Sequence, residues 1–507
     1  MANSGWTIEL LRARLCGLCY NWPMKMNDGQ IARRDFLALT GGLLAFAGCQ
    51  TVETTGASCT RSLGAKEGCS AASSRAMSLK PITIASTACG FEREPMVRPF
   101  GFKGGYLTEE WIVSSCLRST SGKQGIGLGT QSCLWSDASV FASNSEAGGN
   151  AIMFALTQYA LNLAKGMTFT SPVELNDMLW PQVWEYGKKV AANPRLRATF
   201  ALNALVSVDN AAWVLFAREN GFTNFDQMIP EAYRPALSCH HAKCASIPLF
   251  SYKVPPAEIK EAVDSGYFFM KIKIGQPGSQ EEMLEKDMAR VAQIHASLKD
   301  CRTPYTKTGK LPYYFDANGR YQKKETLLRF IDHLKKIGAY DQVAIIEEPF
   351  DEYADIDVND IPLRLAADES AHTVKDALER IEMGYKAMAL KPIAKTMSMS
   401  MKIAQAAFEK DVPCFCADLT VCPAMVEWNK AVAARLPAFP GIGDLGLVET
   451  NGHQNFRNWE TMRKDLAYPD AHWTRTEKGV FECDADYWAK SGGILQPMPR
   501  YEAMYRL

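Results

Sequence analysis

Five short fragments hold the residues best suited to chemistry: Lys271-Ile272-Lys273, Asp316-Ala317-Asn318, Glu347-Glu348-Pro349, Asp368-Glu369-Ser370 and Lys391-Pro392. Asp316, Glu347 and Asp368 offer hard oxygen ligands, which suit Mg2+ or Mn2+ better than zinc, a metal that prefers nitrogen and sulfur. A cation so held can bind a substrate carboxylate and stabilise the enediolate formed when the adjacent α-proton leaves. Lysines supply the base. Lys271 and Lys273 are two apart on a strand and point the same way, so Lys271 is expected to lower the pKa of Lys273. Lys391 arrives four strands later and is expected to face the substrate from the other side. Two bases on opposite faces allow a proton to leave one face and return to the other, which is racemisation or epimerisation.

What must position these residues is a regular alternation of strand and helix. Each fragment closes a short apolar run, and a helical pattern is expected after each strand. Strand candidates are 247–252, 268–274, 313–316, 343–347, 363–368, 387–391, 413–418 and 441–445; helical patterns cover 256–265, 281–298, 325–337, 373–383, 397–410 and 426–435. Polar strand-end residues follow one another at βα-unit spacing, with an extra loop near 304–310. Eight strands in this rhythm predict an α/β fold, a (β/α)8-type, TIM-like barrel over 245–450. In such a barrel the C-terminal strand ends share one mouth, so Lys273, Asp316, Glu347, Asp368, Lys391, Asp418 and Asp444 would meet there. Seven buried charges need a common partner, and a divalent cation is one. Asn318 is expected to orient a ligand or the substrate. Asp418 either binds substrate or pairs with a lysine.

Residues 80–240 read differently. β-prone runs at 81–89 and 112–118, with a glycine-rich, turn-like edge at 125–129, precede helical patterns at 150–165, 172–188 and 195–218. Strands first and helices after describe an α+β domain. Arg93, Arg98 and Lys103 fall in the expected loop between the first two strands. That loop either reads a substrate carboxylate or is an ordinary solvated surface.

Taken in order, the five fragments resemble the enolase superfamily, and more narrowly the mandelate racemase/muconate lactonizing enzyme group that includes the L-Ala-D/L-Glu and other dipeptide epimerases. The resemblance spans about 80–460. It implies that Asp316, Glu347 and Asp368 ligate Mg2+, that Lys273 and Lys391 are the acid/base pair, and that 80–240 is a capping domain completed by 451–507. A racemase or epimerase is the first expectation, with a dehydratase or cycloisomerase using the same residues as the alternative. The dipeptide epimerases carry Asp-x-Asp on the last strand, where this chain offers Asp444 alone.

The front of the chain reads as a targeting segment, 1–49. Arg33-Arg34 precedes an apolar run of 12 residues, Leu37–Gly48, and then Cys49. The run is short of the about 20 residues a bilayer span needs, and the twin arginine matches a Tat export signal. Phe46-Ala47-Gly48-Cys49 resembles a lipobox, which makes Cys49 the expected lipidation site and the periplasm or a lipid-anchored membrane surface the expected location. Residues 50–79, rich in Ser, Thr, Ala and Gly, read as a tether.

With 56 basic and 56 acidic residues the formal charge is zero, which argues against a nucleic-acid or polybasic membrane surface. The expected partners are a small-molecule carboxylate and further copies of the chain, with membrane contact only through the lipid. The 15 cysteines show no disulfide framework. Gly441-Ile442-Gly443-Asp444-Leu445-Gly446 matches a dinucleotide-binding pattern but has no βαβ unit beyond it. A solute-binding lipoprotein on a catalytically silent barrel is the competing reading from another functional class.

Overall fold

The computed structural model describes residues 79–102 and 105–506. The export signal, Cys49, the tether up to residue 78 and Lys103 lie outside the described residues. The described residues form one compact unit.

Three antiparallel strands open it, Ile82–Phe102, Gly105–Ser119 and Gln124–Gln131, with Thr168–Phe169 at the far edge. The first two form a long hairpin where a loop was expected. Arg93 stands opposite Trp111 within it, and Arg98 sits in the irregular stretch between Pro95 and Phe100. The glycine-rich edge is also a strand. An added Cβ on Gly127 would lie 2.2 Å from the Ala211 backbone nitrogen, and one on Gly125 would lie 2.1 Å from the Ala211 carbonyl oxygen. Alternate glycines therefore make one strand face flat enough for a helix backbone to rest on it.

That helix is Ala198–Asn220. It is predominantly apolar and buried from Ala198 to Ala217, as expected of a helix enclosed by protein. It is long and apolar enough to cross a membrane, yet here it lies between the sheet and the barrel helix Met397–Phe408. Asp209 fixes that contact by accepting from the Ser398 N–H at 3.0 Å and the Ser398 hydroxyl at 2.5 Å. Helices Ala138–Ala164 and Pro172–Val190 complete the layer.

The eight barrel strands begin with a segment bent at Pro248. Lys243–Ile247 pairs with the last strand, Gly446–Glu449, and Leu249–Phe250 pairs with the second, Met270–Lys273. One segment therefore closes the ring. Between them run Tyr313–Asp316, Val343–Glu347, Leu365–Ala367, Ala387–Leu390 and Cys414–Cys416, parallel throughout. The strands are buried along their length, the pattern of a parallel sheet covered on both faces.

Two details differ from expectation. The connection from Glu347 to Leu365 holds no helix. It is pinned instead by Arg197 of the cap, which pairs with Glu352 at 2.6 Å, while His372 meets the same carboxylate at 2.6 Å. The last strand is Gly446–Glu449, five residues beyond the expected start at 441. Residues 441–445 form a bend at the barrel base, where the Gly443 N–H donates to the Tyr305 carbonyl at 2.7 Å. The C-terminal stretch returns to the first sheet, with the Tyr505 hydroxyl 2.6 Å from Ser114 Oγ and Arg218 donating to Glu502 at 3.0 Å.

Candidate active site

The parallel strands deliver Lys271 and Lys273, Asp316, Glu347, Asp368, Lys391, Asp418 and Glu449 to one end of the barrel, all buried. The backbone turns sharply just past several of these strands. Asn318, Glu348, Thr396 and Thr420 have φ of 46°, 39°, 71° and 72°. For non-glycine residues that conformation costs on the order of 1–3 kcal/mol each, and such strain concentrates where side-chain placement matters more than local comfort.

Lys271 occupies the centre. Its ammonium lies 2.9 Å from Asp316, 3.0 Å from Glu347 and 3.1 Å from Glu449. Burial works against its charge, but the surrounding carboxylates outweigh that and hold its pKa well above the ordinary lysine value. Lys271 is therefore a counter-ion to three acids. Lys273 donates to Asp316 at 2.5 Å and to the Asn318 side-chain oxygen at 2.6 Å. Burial pushes the Asp316 carboxyl up, yet the two lysines bring it down to about 2.

On the opposite side Lys391 meets Asp368 at 2.5 Å and lies 4.4 Å from the centre of the Trp135 ring. Burial lowers the Lys391 pKa, and Asp368 more than restores it. Lys395 braces the other Asp368 oxygen at 3.3 Å and donates to the Asp368 and Ala371 carbonyls at 2.6 and 3.0 Å. Its pKa falls, chiefly through burial. Glu347 is pushed up to about 8, first by burial and further by Asp368 and Glu449, with Lys271 opposing.

Lys273 and Lys391 line one pocket together with Asn318, Asp368, Asp418 and Glu449. They come from the second and sixth of eight strands, half a turn of the barrel apart. The cap lines the pocket with Phe100, Leu107, Ser132 and Trp135, a largely apolar side that lowers the local dielectric and strengthens the electrostatics beside it.

Oxygens of Glu347, Asp368 and Glu369 lie within 4.8 Å of one another, with the two Asp368 oxygens facing Lys391 and Lys395. An all-oxygen, buried, acid-rich set of this kind fits a hard divalent cation. Of the expected ligands, Glu347 and Asp368 are in this cluster. Asp316 adjoins it through Lys271, with its Oδ2 facing Lys271 and Lys273.

Other expected residues stand apart. Asp444 is at the barrel base, its side chain 89% exposed and 2.8 Å from His241, because the last strand starts after it. Arg93 is exposed and donates to Glu109 at 2.7 Å. Arg98 borders a neighbouring surface pocket with Leu249 and Gln454. Asp418 is at the mouth, but both its oxygens accept backbone N–H groups, from Leu419 at 2.8 Å and Asn451 at 2.8 Å. Glu449 takes the place that Asp444 was expected to fill. Its signal was present in the run Gly446-Leu447-Val448-Glu449, an apolar strand ending in an acid like the others. Glu369 and Lys395 each sit within a few residues of an expected site residue. Trp135, on the cap, had no comparable signal.

The fold and the gathered groups define a class: a capped parallel barrel with lysines on either side of a buried acidic cluster at its C-terminal mouth. Residues 256–478 match the family described as Enolase C-terminal domain-like. Among solved structures, an unknown member of the enolase superfamily from Enterococcus faecalis V583 is 18% identical, with TM-score 0.53, covering 80% of this chain and 93% of that one. A dipeptide epimerase from the same organism, complexed with Mg and the dipeptide L-Leu-L-Tyr, is 16% identical, with TM-score 0.52 and coverage of 79% and 97%. The L-Ala-D/L-Glu epimerase from Bacillus subtilis, in a substrate-liganded complex, is 14% identical, with TM-score 0.54 and coverage of 79% and 96%. At these identities the likeness is one of fold. No curated protein matches the chain.

Proposed function

We propose that this protein is an enolase-superfamily enzyme that removes the proton α to a substrate carboxylate, acting as a racemase or epimerase with Lys273 and Lys391 as its two acid/base groups. The observation that carries this reading is the placement of these lysines on opposite sides of one pocket, beside the acidic cluster. A divalent cation, Mg2+ or Mn2+, held by Glu347 and Asp368 with Asp316 or Glu369, would offset the negative charge that develops on the substrate carboxylate.

The remaining work falls to the chain's own groups. Lys273, positioned by Asn318 at 2.6 Å, takes a proton from one face of the α-carbon. Lys391, under Trp135, delivers one to the other. Each lysine is left in the state the other began with, so the reverse reaction uses the same pair in exchanged roles. Lys271 stays charged and keeps three neighbouring carboxylates compatible.

One observation favours a second reading, a dehydratase or cycloisomerase. Asp368 holds Lys391 toward its protonated form, and a permanently charged Lys391 would stabilise charge without accepting a proton. Incubating enantiopure α-substituted carboxylates with the protein and Mg2+ in D2O separates the two. Deuterium at Cα with inversion supports epimerisation; an alkene or lactone without inversion supports the alternative. Export by the twin-arginine route and lipid attachment at Cys49 are also proposed, from the sequence.

A further inference from the structure

Glu110 is a buried carboxyl with no ionic partner among the described residues. It lies on the second cap strand, 0% exposed, with the Ser132 hydroxyl as the donor beside it. Trp111 pairs with Gln131 across the second and third strands, so Glu110 stands across from Ser132. The Ser132 hydroxyl faces the carboxyl as a donor that favours its charged form, and burial outweighs that contribution. Ser132 lines the catalytic pocket, between Leu107 and Trp135 of the cap and Leu419 and Thr420 of the barrel. This face of the sheet looks toward the barrel: Thr130, on the same side as Ser132, accepts from the Cys422 backbone N–H at 3.4 Å.

The surroundings of Glu110 are acidic. Its partner across the first two strands is Glu94, and like charges placed opposite one another repel. Asp418 and Glu146 push its titration in the same upward direction as its burial. Across the pocket, Glu449 already shares Lys271 with Asp316 and Glu347. Among the described residues no lysine or arginine pairs with Glu110. A buried, unpaired carboxyl is costly, and it stands directly behind a wall of the pocket where a substrate would lie.

We propose that Glu110, with Ser132 beside it, receives a positively charged group of the substrate, so that the substrate is a carboxylate that also carries an amine, and that Glu110 sets this specificity from the cap. The carboxylate half of this statement rests on the acid–base reading of the pocket; the amine half rests on Glu110.

The test compares matched probes with and without the charge, glycyl-leucine beside N-acetylglycyl-leucine and lysine beside N-acetylated lysine at its side chain, each in the presence of Mg2+. Binding is measured by calorimetry and α-proton exchange by NMR in D2O. In the native protein the amine-bearing member of at least one pair should bind about tenfold or more tightly than its acetylated counterpart, the scale of a charge-assisted hydrogen bond. Glu110→Gln, which keeps the side-chain volume, should bring that ratio close to one through KM or Kd rather than kcat, and Glu110→Asp should restore part of it. A native protein that prefers the acetylated members, binds no probe of either kind, or keeps its preference in Glu110→Gln overturns the proposal. Charge-selective binding that depends on Glu110, without α-proton exchange, upholds this inference and removes the acid–base reading; exchange with no dependence on Glu110 does the reverse.

Discussion

Lys271 on the second barrel strand donates to Glu449 on the eighth at 3.1 Å, across the bent first strand that closes the ring. Glu449 also accepts from the Asp418 N–H at 3.0 Å, so one carboxylate ties together three strand ends.

Removing that carboxylate should be costly. Glu449→Ala leaves Lys271 with less compensation and an Asp418 N–H without its acceptor, and breaking a buried ion pair from one side costs about 3–5 kcal/mol. Urea denaturation should show a loss of this order, with Glu449→Gln milder. Asp444→Ala is the control: with its side chain 89% exposed at the barrel base, it should change stability by less than about 1 kcal/mol and leave turnover unaltered. Equal effects from the two variants would restore Asp444 to the mouth.

Cation binding should depend on pH in a stated direction. Without a cation, burial and neighbouring acids push Glu347 up to about 8, so the carboxyl takes up a proton as pH falls through the neutral range, at the expense of its pairing with Lys271. Ligation needs the carboxylate, so Mg2+ binding should release a proton and tighten as pH rises toward about 8, then level off. Calorimetry in buffers of different ionisation enthalpy measures the released proton directly. Binding that weakens as pH rises from 6 to 8 would contradict the assignment of Glu347 as a ligand.

Adding Mg2+ should also raise the melting temperature of the native protein, because a ligand that binds only the folded state stabilises it. Asp368→Asn should abolish this increment. An unchanged increment would place the cation elsewhere.

The cap should be intolerant of a single methyl group at Gly127. Its added Cβ would meet the Ala211 nitrogen at 2.2 Å and the Ser207 carbonyl oxygen at 2.3 Å, both backbone atoms that cannot swing aside. Gly127→Ala should destabilise by about 3 kcal/mol or more. Gly148→Ala, whose Cβ finds nothing nearer than 3.4 Å in a helix, should be neutral or stabilising by up to about 1 kcal/mol. A tolerated Gly127→Ala would mean that the helix does not rest on the strand.

The barrel was legible because seven of its eight strands are short apolar runs ending in or just before a charge. Val343–Glu347 and Tyr313–Asp316 fall at the expected limits. That same rule misplaced the last strand, since Gly441–Leu445 also ends near an acid and only the register against Cys244–Ile247 selects Gly446–Glu449. Side-chain spacing announces Lys273 and Lys391 but not who neutralises Lys271, because Glu449 reaches it across the ring. The cap was harder to read. Glycines at 125, 127 and 129 carry turn propensity, and only the presence of helix Ala198–Asn220 turns them into a packing surface. Arg93 reads as a loop residue until Trp111 is seen opposite it. The wall built by Ser132 and Trp135 depends wholly on how the cap meets the barrel.

The central claim is that Lys273 and Lys391 serve opposite faces of one substrate carbon, and single-base variants test it most directly. With an α-chiral carboxylate turned over by the native protein, each enantiomer is incubated separately in D2O with Lys273→Ala and with Lys391→Ala. Each variant should lose interconversion by about 100-fold or more, the usual contribution of a positioned acid or base. Lys273→Ala should still exchange the α-proton of one enantiomer, and Lys391→Ala that of the other. Exchange of the same enantiomer by both variants, or full interconversion by either, would contradict the account.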